Sequence, residues 1–242
     1  MTGMKIFALL SSVPLESEYI LSCLHHVRSR RLAGRTLFQG KYDGRPVAVL
    51  NTGIGKVNAA LCTTAIIETL SVGAVMNVGI AGAYLSSGLD VGDVAVATRE
   101  IYGDEGVISE RGWEDLRKTG FPLVQRGPKK YYNEFPAIPI GINGKGVKEM
   151  PFQLRAGTFV TVSAVSGTVA RAEELAMRWK ALCENMEGAA VSQVCRTYDI
   201  PFSEIRGMSN IAGIRDKRKW KILEAAENSQ KVVLEALHSY DL

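Results

Sequence analysis

The sequence predicts a three-layer α/β/α sandwich with a central mixed β-sheet, in one domain over residues 1–242. Short apolar runs that suit buried strands alternate with segments whose apolar residues recur at helical spacing. Glycine-rich turns follow several of these runs. Hydrophobic residues make up 46% of the chain, which is enough for a sizeable core. We find no internal repeat, linker or low-complexity tract that would divide it.

The first third of the chain is predicted to form a strand, a helix and a hairpin. "KIFALL" (residues 5–10) is a short apolar run typical of a buried first strand. Pro14 suits the first turn of a helix, and apolar residues keep helical spacing through "PLESEYILSCLHHVRS" (14–29). Asp43-Gly44 is a strong two-residue turn signal, so residues 35–53 are expected to form a hairpin.

The centre of the chain predicts a helix between strands, followed by an irregular insertion. "KVNAALCTTAIIETL" (56–70) has the pattern of a helix with a small-residue face. "AVMNVGIAG" (74–82) is typical of a fully buried strand, and "VGDVAVAT" (91–98) of another. Residues 103–156 are rich in Gly, Pro and charge, so we predict loops and short helices that cover an open edge of the core.

The last third predicts two strands and three helices. "AGTFVTVSAVSGT" (156–168) has strand character, residues 169–181 and 185–199 have helical character, and "PFSEIRGMSNIAG" (201–213) is expected to be the last strand. Residues 216–240 predict a long amphipathic helix. Its apolar stripe is expected to consist of Trp220, Ile222, Leu223, Ala226, Val232, Val233 and Leu237.

Composition argues against several function classes. A net charge of +4 is far below the clustered charge of a nucleic-acid-binding protein. No apolar run reaches the roughly 18 residues of a membrane span, and the single Lys5 followed by Glu16 and Glu18 does not resemble a signal peptide. The four cysteines lie far apart without a C-x-x-C pair, so neither disulfides nor a metal site is expected. A cytoplasmic enzyme without a cofactor is the resulting expectation.

Small residues follow three predicted strands and predict a pocket. They occur in "NTGIGKVNAA" (51–60), in "NVGIAGAY" (77–84) and at Ser209-Asn210. Ligands of open α/β sheets bind beyond the carboxyl ends of the strands, where all three would lie. The first cluster matches neither a dinucleotide fingerprint nor a phosphate-binding loop, because Asn58 replaces the third glycine and no Ser or Thr follows Lys56. A tight strand-to-helix turn that needs positive φ explains it equally well.

Two groups of carboxylates are expected near this pocket. Glu187 is predicted at a helix start, where it either complements the helix dipole or accepts hydrogen bonds from two sugar hydroxyls. Glu16 and Glu18 follow the first strand, where one of them could activate a water molecule as a general base. Solvation in the first turn of a helix is the alternative for both.

From residue 4 to about 235, the chain resembles the nucleoside phosphorylase and nucleosidase superfamily. The resemblance is carried by five motifs in this order: "NTGIGKVNAA", "NVGIAGAY", "VGDVAVA", "ENMEGAAVSQVC" and "IRGMSNIAG". The resemblance implies the three-layer fold, cleavage of the N-glycosidic bond of purine nucleosides, and assembly as a homodimer or larger homo-oligomer. It implies that Glu16 orients the attacking water and that Asn210 acts with Ser209 at the purine. It implies a base and ribose site made of Gly79, Ile80, Ala81, Gly82, Met186 and Glu187.

The same resemblance favours water over phosphate as the nucleophile. Related phosphorylases carry an arginine where this sequence has Asn77, and no basic residue lies between Val72 and Arg99. Arg206 matches an arginine that nucleosidases also share, so it does not restore a phosphate site. Hydrolysis is therefore predicted. A purine nucleoside phosphorylase and a catalytically silent nucleoside-binding protein remain the alternatives, and methylthioadenosine nucleosidase is disfavoured.

Asn210 indicates the leaving base. Adenine-releasing relatives end this strand in Ser-Asp, whereas an asparagine amide has no titratable proton but two donor hydrogens. These can bind the O6 and N7 acceptors of a 6-oxopurine such as hypoxanthine. The Ser-Asn pair and the tail "GIRDKRKWKILEAA" most resemble hydrolases whose substrate is an inosine-like nucleoside with a carboxyphenyl extension on its ribose. Arg215 or Lys217 is expected to pair with that carboxylate, unless the basic run is a solvated helix face.

Overall fold

A computed structural model describes residues 5–139, 146 and 149–239 and shows a mixed α/β fold around a ten-stranded sheet. The strands are β1 (Ile6–Ser11), β2 (His25–Leu32), β3 (Arg35–Tyr42), β4 (Arg45–Asn51), β5 (Val72–Ala83), β6 (Val94–Tyr102), β7 (Val107–Ser109), β8 (Gly112–Glu114), β9 (Val124–Arg126), β10 (Lys129–Tyr131), β11 (Glu134–Pro136), β12 (Leu154–Thr161), β13 (Ala181–Asn185) and β14 (Phe202–Ile211). The helices are α1 (Glu18–Ser22), α2 (Lys56–Thr69), α3 (Val169–Trp179), α4 (Gly188–Tyr198) and α5 (Ile222–Ser239).

The central sheet is mixed, as predicted. Its strands follow the order β11-β6-β12-β13-β5-β1-β4-β3-β2, and β14 pairs with both β5 and β6. β1 runs parallel to β4 and β5, and β14 runs parallel to β5, whereas β2, β3 and β4 form antiparallel pairs. Because β14 joins β5 to β6, the strands β5, β14, β6, β12 and β13 close into a ring. β1 ends near the level of Asn77 in β5, whereas β5 and β14 continue together to Ala83 and Ile211.

Helices cover both faces of the sheet, because each central strand is apolar on both sides. Along β1, Phe7 and Leu9 belong to one buried cluster together with Val232 and Val233 of α5. Ala8 and the other even-numbered residues of β1 belong to a second cluster with α2 and α4. Side chains alternate between faces along a strand, so a buried run of this kind produces the three layers.

Most of the predicted helix over residues 14–29 is wrong. Pro14–Glu16 form one 3-10 turn and α1 ends at Ser22, after which β2 pairs antiparallel with β3. β2 is exposed along almost its whole length, so it lacks the alternation of polar and apolar residues that identifies a strand. The predicted hairpin turn is confirmed, because Asp43 and Gly44 adopt φ values of 48° and 76° between β3 and β4.

Two further predictions need correction. β13 lies where the sequence predicts the connection between two helices. Its five residues are all buried, and the strand pairs with β12 and β5. A buried strand this short has no periodicity that separates it from a helix. Among its described residues, the insertion at 103–156 contains short strands that were not predicted, together with one 3-10 turn at Leu116–Thr119 and a helical residue at Gly146. β11 pairs with β6 at the edge of the sheet, and residues 140–145, 147 and 148 lie outside the described part.

The C-terminal helix begins at Ile222, six residues later than predicted, because a 3-10 turn at Lys217–Lys219 precedes it. Ala226, Val232, Val233 and Leu237 are buried as the stripe requires, whereas Leu223 is 71% exposed. Within the described residues, no helix is both long and apolar enough to cross a bilayer.

Candidate active site

Glu16 is a buried carboxylate held by backbone amides. Its Oε2 atom accepts hydrogen bonds from the amides of Ser12 (2.9 Å) and Val13 (3.1 Å), and its Oε1 atom accepts one from Ile80 (2.9 Å). Burial raises the pKa of Glu16 above its ordinary value, although the charge of Arg206 and the amide bonds act in the opposite direction. Glu18, the other candidate in this segment, is exposed. A carboxylate whose pKa is raised in this way is a stronger base and can accept a proton from an attacking water.

Glu187 lies at the N-cap of α4, yet its side chain makes no capping bond. Its Oε1 atom accepts a hydrogen bond from the amide of Gly55 at 2.9 Å, in the glycine-rich turn before α2. Its Oε2 atom lies 3.4 Å from Nη2 of Arg206. The cap of α4 is supplied by Asn185, whose Oδ1 atom accepts from the amides of Glu187 and Gly188. The Glu187 carboxylate is therefore directed toward the strand ends rather than toward its own helix.

Arg206 connects the carboxylates of the site. Its Nε atom donates to Glu204 at 2.7 Å, and its Nη1 atom donates to the carbonyl of Ile80 at 3.2 Å. Burial opposes the charge of Arg206, but Glu204, Glu187 and Glu16 outweigh this effect and raise its pKa above the ordinary value. The arginine thus remains charged and offsets part of the negative charge of the carboxylates around it.

Gly79 allows this arrangement through its missing side chain. A Cβ atom at Gly79 would lie 2.5 Å from Oε1 of Glu16 and 2.7 Å from Nη1 of Arg206. Ile80, Ala81 and Gly82 continue the same strand to its carboxyl end, and Met186 lies between β13 and α4. The structure therefore brings the predicted segment 79–82 together with Glu16, Glu187 and the end of β14.

Ser209 and Asn210 lie near the end of β14, beside β5. The Ser209 hydroxyl lies 2.8 Å from Oδ1 of Asn210 and 3.2 Å from the carbonyl oxygen of Ala81. The Asn210 amide nitrogen donates to the carbonyl of Ile211 at 3.0 Å. A rotated amide would place its oxygen against that carbonyl, so the observed orientation is the favourable one. One amide hydrogen is left to donate elsewhere, and the amide nitrogen lies 3.4 Å from where a Cβ atom on Gly82 would be.

A second pair of carboxyl groups, Glu100 and Glu204, lies beneath Gly188. Both are fully buried, and a Cβ atom at Gly188 would lie 2.2 Å from an oxygen of each. Burial raises the pKa of Glu100 well above its ordinary value, and the neighbouring Glu204 raises it further. Among the described residues, Oε2 of Glu204 has no hydrogen-bond partner besides the facing Glu100, so a proton retained by Glu100 accounts for the close approach of the two carboxyl groups. This arrangement supports Arg206, because Oε1 of Glu204 accepts the Arg206 bond.

Arg215 and Lys217 lie in the segment between β14 and α5. The Arg215 guanidinium stacks on the ring of Trp220, 4.9 Å from its centroid, and Lys217 begins the 3-10 turn. Among the described residues, neither side chain makes a hydrogen bond or ion pair with Glu16, Glu187 or Asn210. Within the described residues, no group of three or more His, Cys, Asp or Glu side chains is placed to hold a metal ion.

Sequence reasoning missed Glu100, Glu204 and Asn185. The signal for Glu204 was present, since "SEIRG" places an acid and a base two residues apart in an otherwise apolar strand. Side chains at that spacing share one face, so each can neutralise the other. Glu100 and Asn185 carry no comparable signal, because their partners come from distant parts of the chain.

A family model described as the phosphorylase superfamily matches residues 6–238. The chain belongs to this superfamily. It is 37% identical over 182 residues to the futalosine hydrolase of Thermus thermophilus, covering 75% of this chain and 77% of that protein. It is 32% identical over 234 residues to the 5'-methylthioadenosine/S-adenosylhomocysteine nucleosidase of Halalkalibacterium halodurans, covering 96% and 97%. The corresponding nucleosidase of Neisseria meningitidis, solved with methylthio-immucillin-A, superposes with a TM-score of 0.83 at 25% identity over 98% of this chain and 100% of that one.

The relatives are nucleosidases, and the predicted enzyme class, a hydrolase of N-glycosidic bonds, is confirmed. The superfamily and the predicted fold are confirmed as well. The two groups of relatives differ in their substrates. Membership of the superfamily therefore does not identify the leaving base, and this chain's own residues must indicate it.

Proposed function

We propose that this protein hydrolyses the N-glycosidic bond of futalosine, giving hypoxanthine and dehypoxanthinyl futalosine. The resemblance assigns this step to an alternative route of menaquinone biosynthesis. The observation that carries the proposal is the oriented amide of Asn210 at the end of β14. The relative from Thermus thermophilus supports it.

Asn210 suits a 6-oxopurine because its amide presents a donor. The Ser209 hydroxyl lies against the amide oxygen, and the Ile211 carbonyl accepts one hydrogen of the NH2 group. The second hydrogen remains available to a bound purine. Negative charge develops on N7 and O6 of hypoxanthine as the glycosidic bond breaks. A fixed donor beside these atoms binds the transition state more strongly than the ground state. The amino group of adenine would instead meet this donor and require rotation of the amide against Ile211.

Glu16 and Glu187 complete the proposed mechanism. Glu16 accepts a proton from water as the water attacks the anomeric carbon, and its raised pKa suits this role. Glu187 accepts hydrogen bonds from the ribose hydroxyls, while Arg206 and the Gly55 amide hold its carboxylate in place. The segment Gly79–Gly82 and Met186 line the base and the ribose.

A phosphorylase would need a cationic site for phosphate, usually built with arginine. Asn77 instead donates to Glu204 at 3.0 Å within the buried interior of the sheet. Arg206 is already neutralised by Glu204 and Glu187. These contacts support water as the nucleophile.

Methylthioadenosine/S-adenosylhomocysteine nucleosidase is the second candidate, because relatives with this activity align along almost the whole chain. An adenine leaving group needs an acid at N7, according to the resemblance. Asn210 has no proton to give at neutral pH. The two candidates share the fold, so the identity of the released base distinguishes them.

The decisive experiment measures base release from futalosine, inosine and methylthioadenosine, each with and without phosphate. We expect hypoxanthine from futalosine at the highest kcat/KM, independent of phosphate. Adenine release from methylthioadenosine at a higher kcat/KM would favour the second candidate. Phosphate-dependent cleavage of inosine would identify a phosphorylase, and no release from any nucleoside would indicate a binding protein.

Asn210→Ala tests the residue that carries the proposal. We expect kcat for futalosine to fall roughly 100-fold, the usual loss for one transition-state donor. Asn228→Ala is the matched control, because its amide donates to the carbonyl of Gly92, outside the candidate site, and its loss should leave kcat nearly unchanged. A near-normal kcat in Asn210→Ala would refute the role of the amide.

A further inference from the structure

A cavity of about 720 Å³ lies directly beside the candidate active site. Its wall includes Ser12 and Val13, whose amides bind Glu16. It also includes Gly53 and Ile54, which precede the Gly55 amide that binds Glu187. The cavity therefore adjoins both the carboxylate proposed to activate water and the carboxylate proposed to bind the ribose. A group attached to the ribose can extend into it.

The apolar part of the cavity wall suits an aromatic ring. Five apolar side chains line it, from the first strand's end, α1, β3 and the glycine-rich turn. They are Val13, Pro14, Leu21, Phe38 and Ile54. Ile54 is 58% exposed, so a bound ring would remove apolar surface from water and gain affinity by the hydrophobic effect.

Arg31 and Arg35 add positive charge to the same wall. They flank the Ala33-Gly34 turn between β2 and β3. Arg31 donates to the Gly34 carbonyl and lies 3.5 Å from the Thr36 hydroxyl. No carboxylate lines the cavity, and no ion pair to either arginine is found in the part of the chain that the structure describes.

Arg35 is held close to the glycine-rich turn by neutral contacts. Its Nη2 atom lies 3.5 Å from Oδ1 of Asn58, and the thiol of Cys62 is its other polar neighbour. A Cβ atom on Gly53 would lie 2.6 Å from the same Nη2 atom. The guanidinium thus lies against the turn that contacts Glu187, with its charge not neutralised.

We propose that Arg31 and Arg35 bind the carboxylate of an aromatic acid carried on the 5' side of the ribose. This inference rests on the proposed function, because futalosine has such a group. Arginine presents paired donors that match a carboxylate. The apolar wall accommodates the ring that links this carboxylate to the ribose. The site selects nucleosides with an anionic aryl substituent over neutral ones.

Arg215 and Lys217 offer a less suitable carboxylate site. The hollow that Lys217 lines also contains Glu224, and the adjoining one at Trp220 contains Asp90. Glu224 pairs with Lys221 at 3.1 Å and Asp90 shares its hollow with Lys219, so part of the positive charge there is already balanced. Arg215 already stacks on Trp220.

The test compares futalosine with its methyl ester, in which the carboxylate charge is removed. Wild-type enzyme is expected to prefer the acid at least about 10-fold in kcat/KM, the size of one charge-assisted hydrogen bond. Arg31→Gln and Arg35→Gln should each raise KM for the acid roughly 10-fold, leave kcat similar and remove the preference. Arg30→Gln is the matched control, since it removes the same charge from the neighbouring residue, which contacts Gln39 instead.

Several outcomes would overturn the site. They are equal use of acid and ester by the wild type, retention of the preference in both variants, or an equal effect of Arg30→Gln. Loss of the preference only in Arg215→Gln or Lys217→Gln would move the carboxylate to the other site. Failure of wild-type enzyme to release hypoxanthine would refute the proposed function separately. Calorimetric titration of futalosine into Glu16→Gln protein would then decide the site, since binding that is absent or unaffected by Arg31→Gln and Arg35→Gln overturns it.

Discussion

The two carboxylates of the candidate site, Glu16 and Glu187, are each held in part by groups from another part of the chain. Glu16 follows β1, but its Oε1 atom is bound by Ile80 of β5. Glu187 precedes α4, but Gly55 and Arg206 hold its carboxylate. Such fixed positions reduce the reorganisation needed when charge develops during bond cleavage.

Glu16 predicts a specific pH dependence. Since its pKa is raised mainly by burial, the unprotonated base is lost as pH falls through a value above 4.5. The acid limb of kcat for futalosine should therefore lie above that ordinary glutamate value. Glu16→Gln should lower kcat by roughly 10²- to 10⁴-fold, whereas the exposed Glu18→Gln should change it little. An unchanged pH profile in Glu16→Gln would assign the limb to another group.

The Glu100–Glu204 pair predicts a stability effect at high pH. The folded state binds a proton more tightly than the unfolded chain, so this contribution is complete below the unfolded pKa and is lost as pH rises through the raised pKa. Glu100→Gln replaces the protonated carboxyl with a neutral donor. Its melting temperature should fall less between pH 6 and pH 9 than that of the wild type. Glu110→Gln, at an exposed glutamate, should behave like the wild type, and an equally steep fall in Glu100→Gln would contradict a proton retained by Glu100.

At the level of elements, the close packing of α5 on β14 depends on Gly207. A Cβ atom there would lie 1.9 Å from the carbonyl oxygen of Ala225. The strand carries Arg206, Ser209 and Asn210, so its separation from α5 matters for the site. Positions on this strand are therefore constrained from both faces.

Gly207→Ala is expected to lower the free energy of unfolding by about 1–3 kcal/mol, since the helix must move away from the strand. Urea unfolding measures this change. Gly167→Ala is the matched control, because a Cβ atom there meets nothing within 4 Å and its φ is not positive. It should stay within about 0.5 kcal/mol of the wild type. Equal stability of both variants would show that α5 adjusts freely.

Local signals predicted some elements correctly and failed for others. The Asp43-Gly44 turn was predictable, because a two-residue hairpin turn requires positive φ at both positions. β2 was not predictable, since its side chains stay in solvent when it pairs with β3 and therefore need no apolar pattern. β13 was missed because Ala181–Asn185 is defined by neighbouring strands rather than by its own periodicity.

At the scale of the whole molecule, an exposed apolar stripe on α2 supports the prediction of a homodimer or larger assembly. Val57 is 82% exposed and Leu61 is 55% exposed, four residues apart on one helix face. Apolar surface of this kind commonly marks a protein interface. The stripe begins one turn from Ile54, at the rim of the cavity beside the active site.

Val57→Glu should weaken self-association, because it would place a charge on the apolar stripe. Light scattering after size-exclusion chromatography is expected to show a dimer or larger species for the wild type. The variant should raise the dissociation constant at least about 10-fold. Leu223→Glu is the control, since it places the same charge at an exposed apolar residue outside the α2 stripe, 71% exposed on α5. A monomeric wild-type protein would refute the prediction.

The sequence alone determined the superfamily, the sheet-and-helix alternation and the candidate residues Glu16, Glu187 and Asn210. These depend on short motifs and on residue chemistry, which a linear sequence records directly. Tertiary structure decided which glutamate is buried and which arginines lie beside the ribose site. Arg31 and Arg35 are an example, because their position depends on the pairing of β2 with β3 and on the contact with Gly53. Burial and charge neutralisation arise only when distant segments meet, and the sequence does not encode those contacts locally.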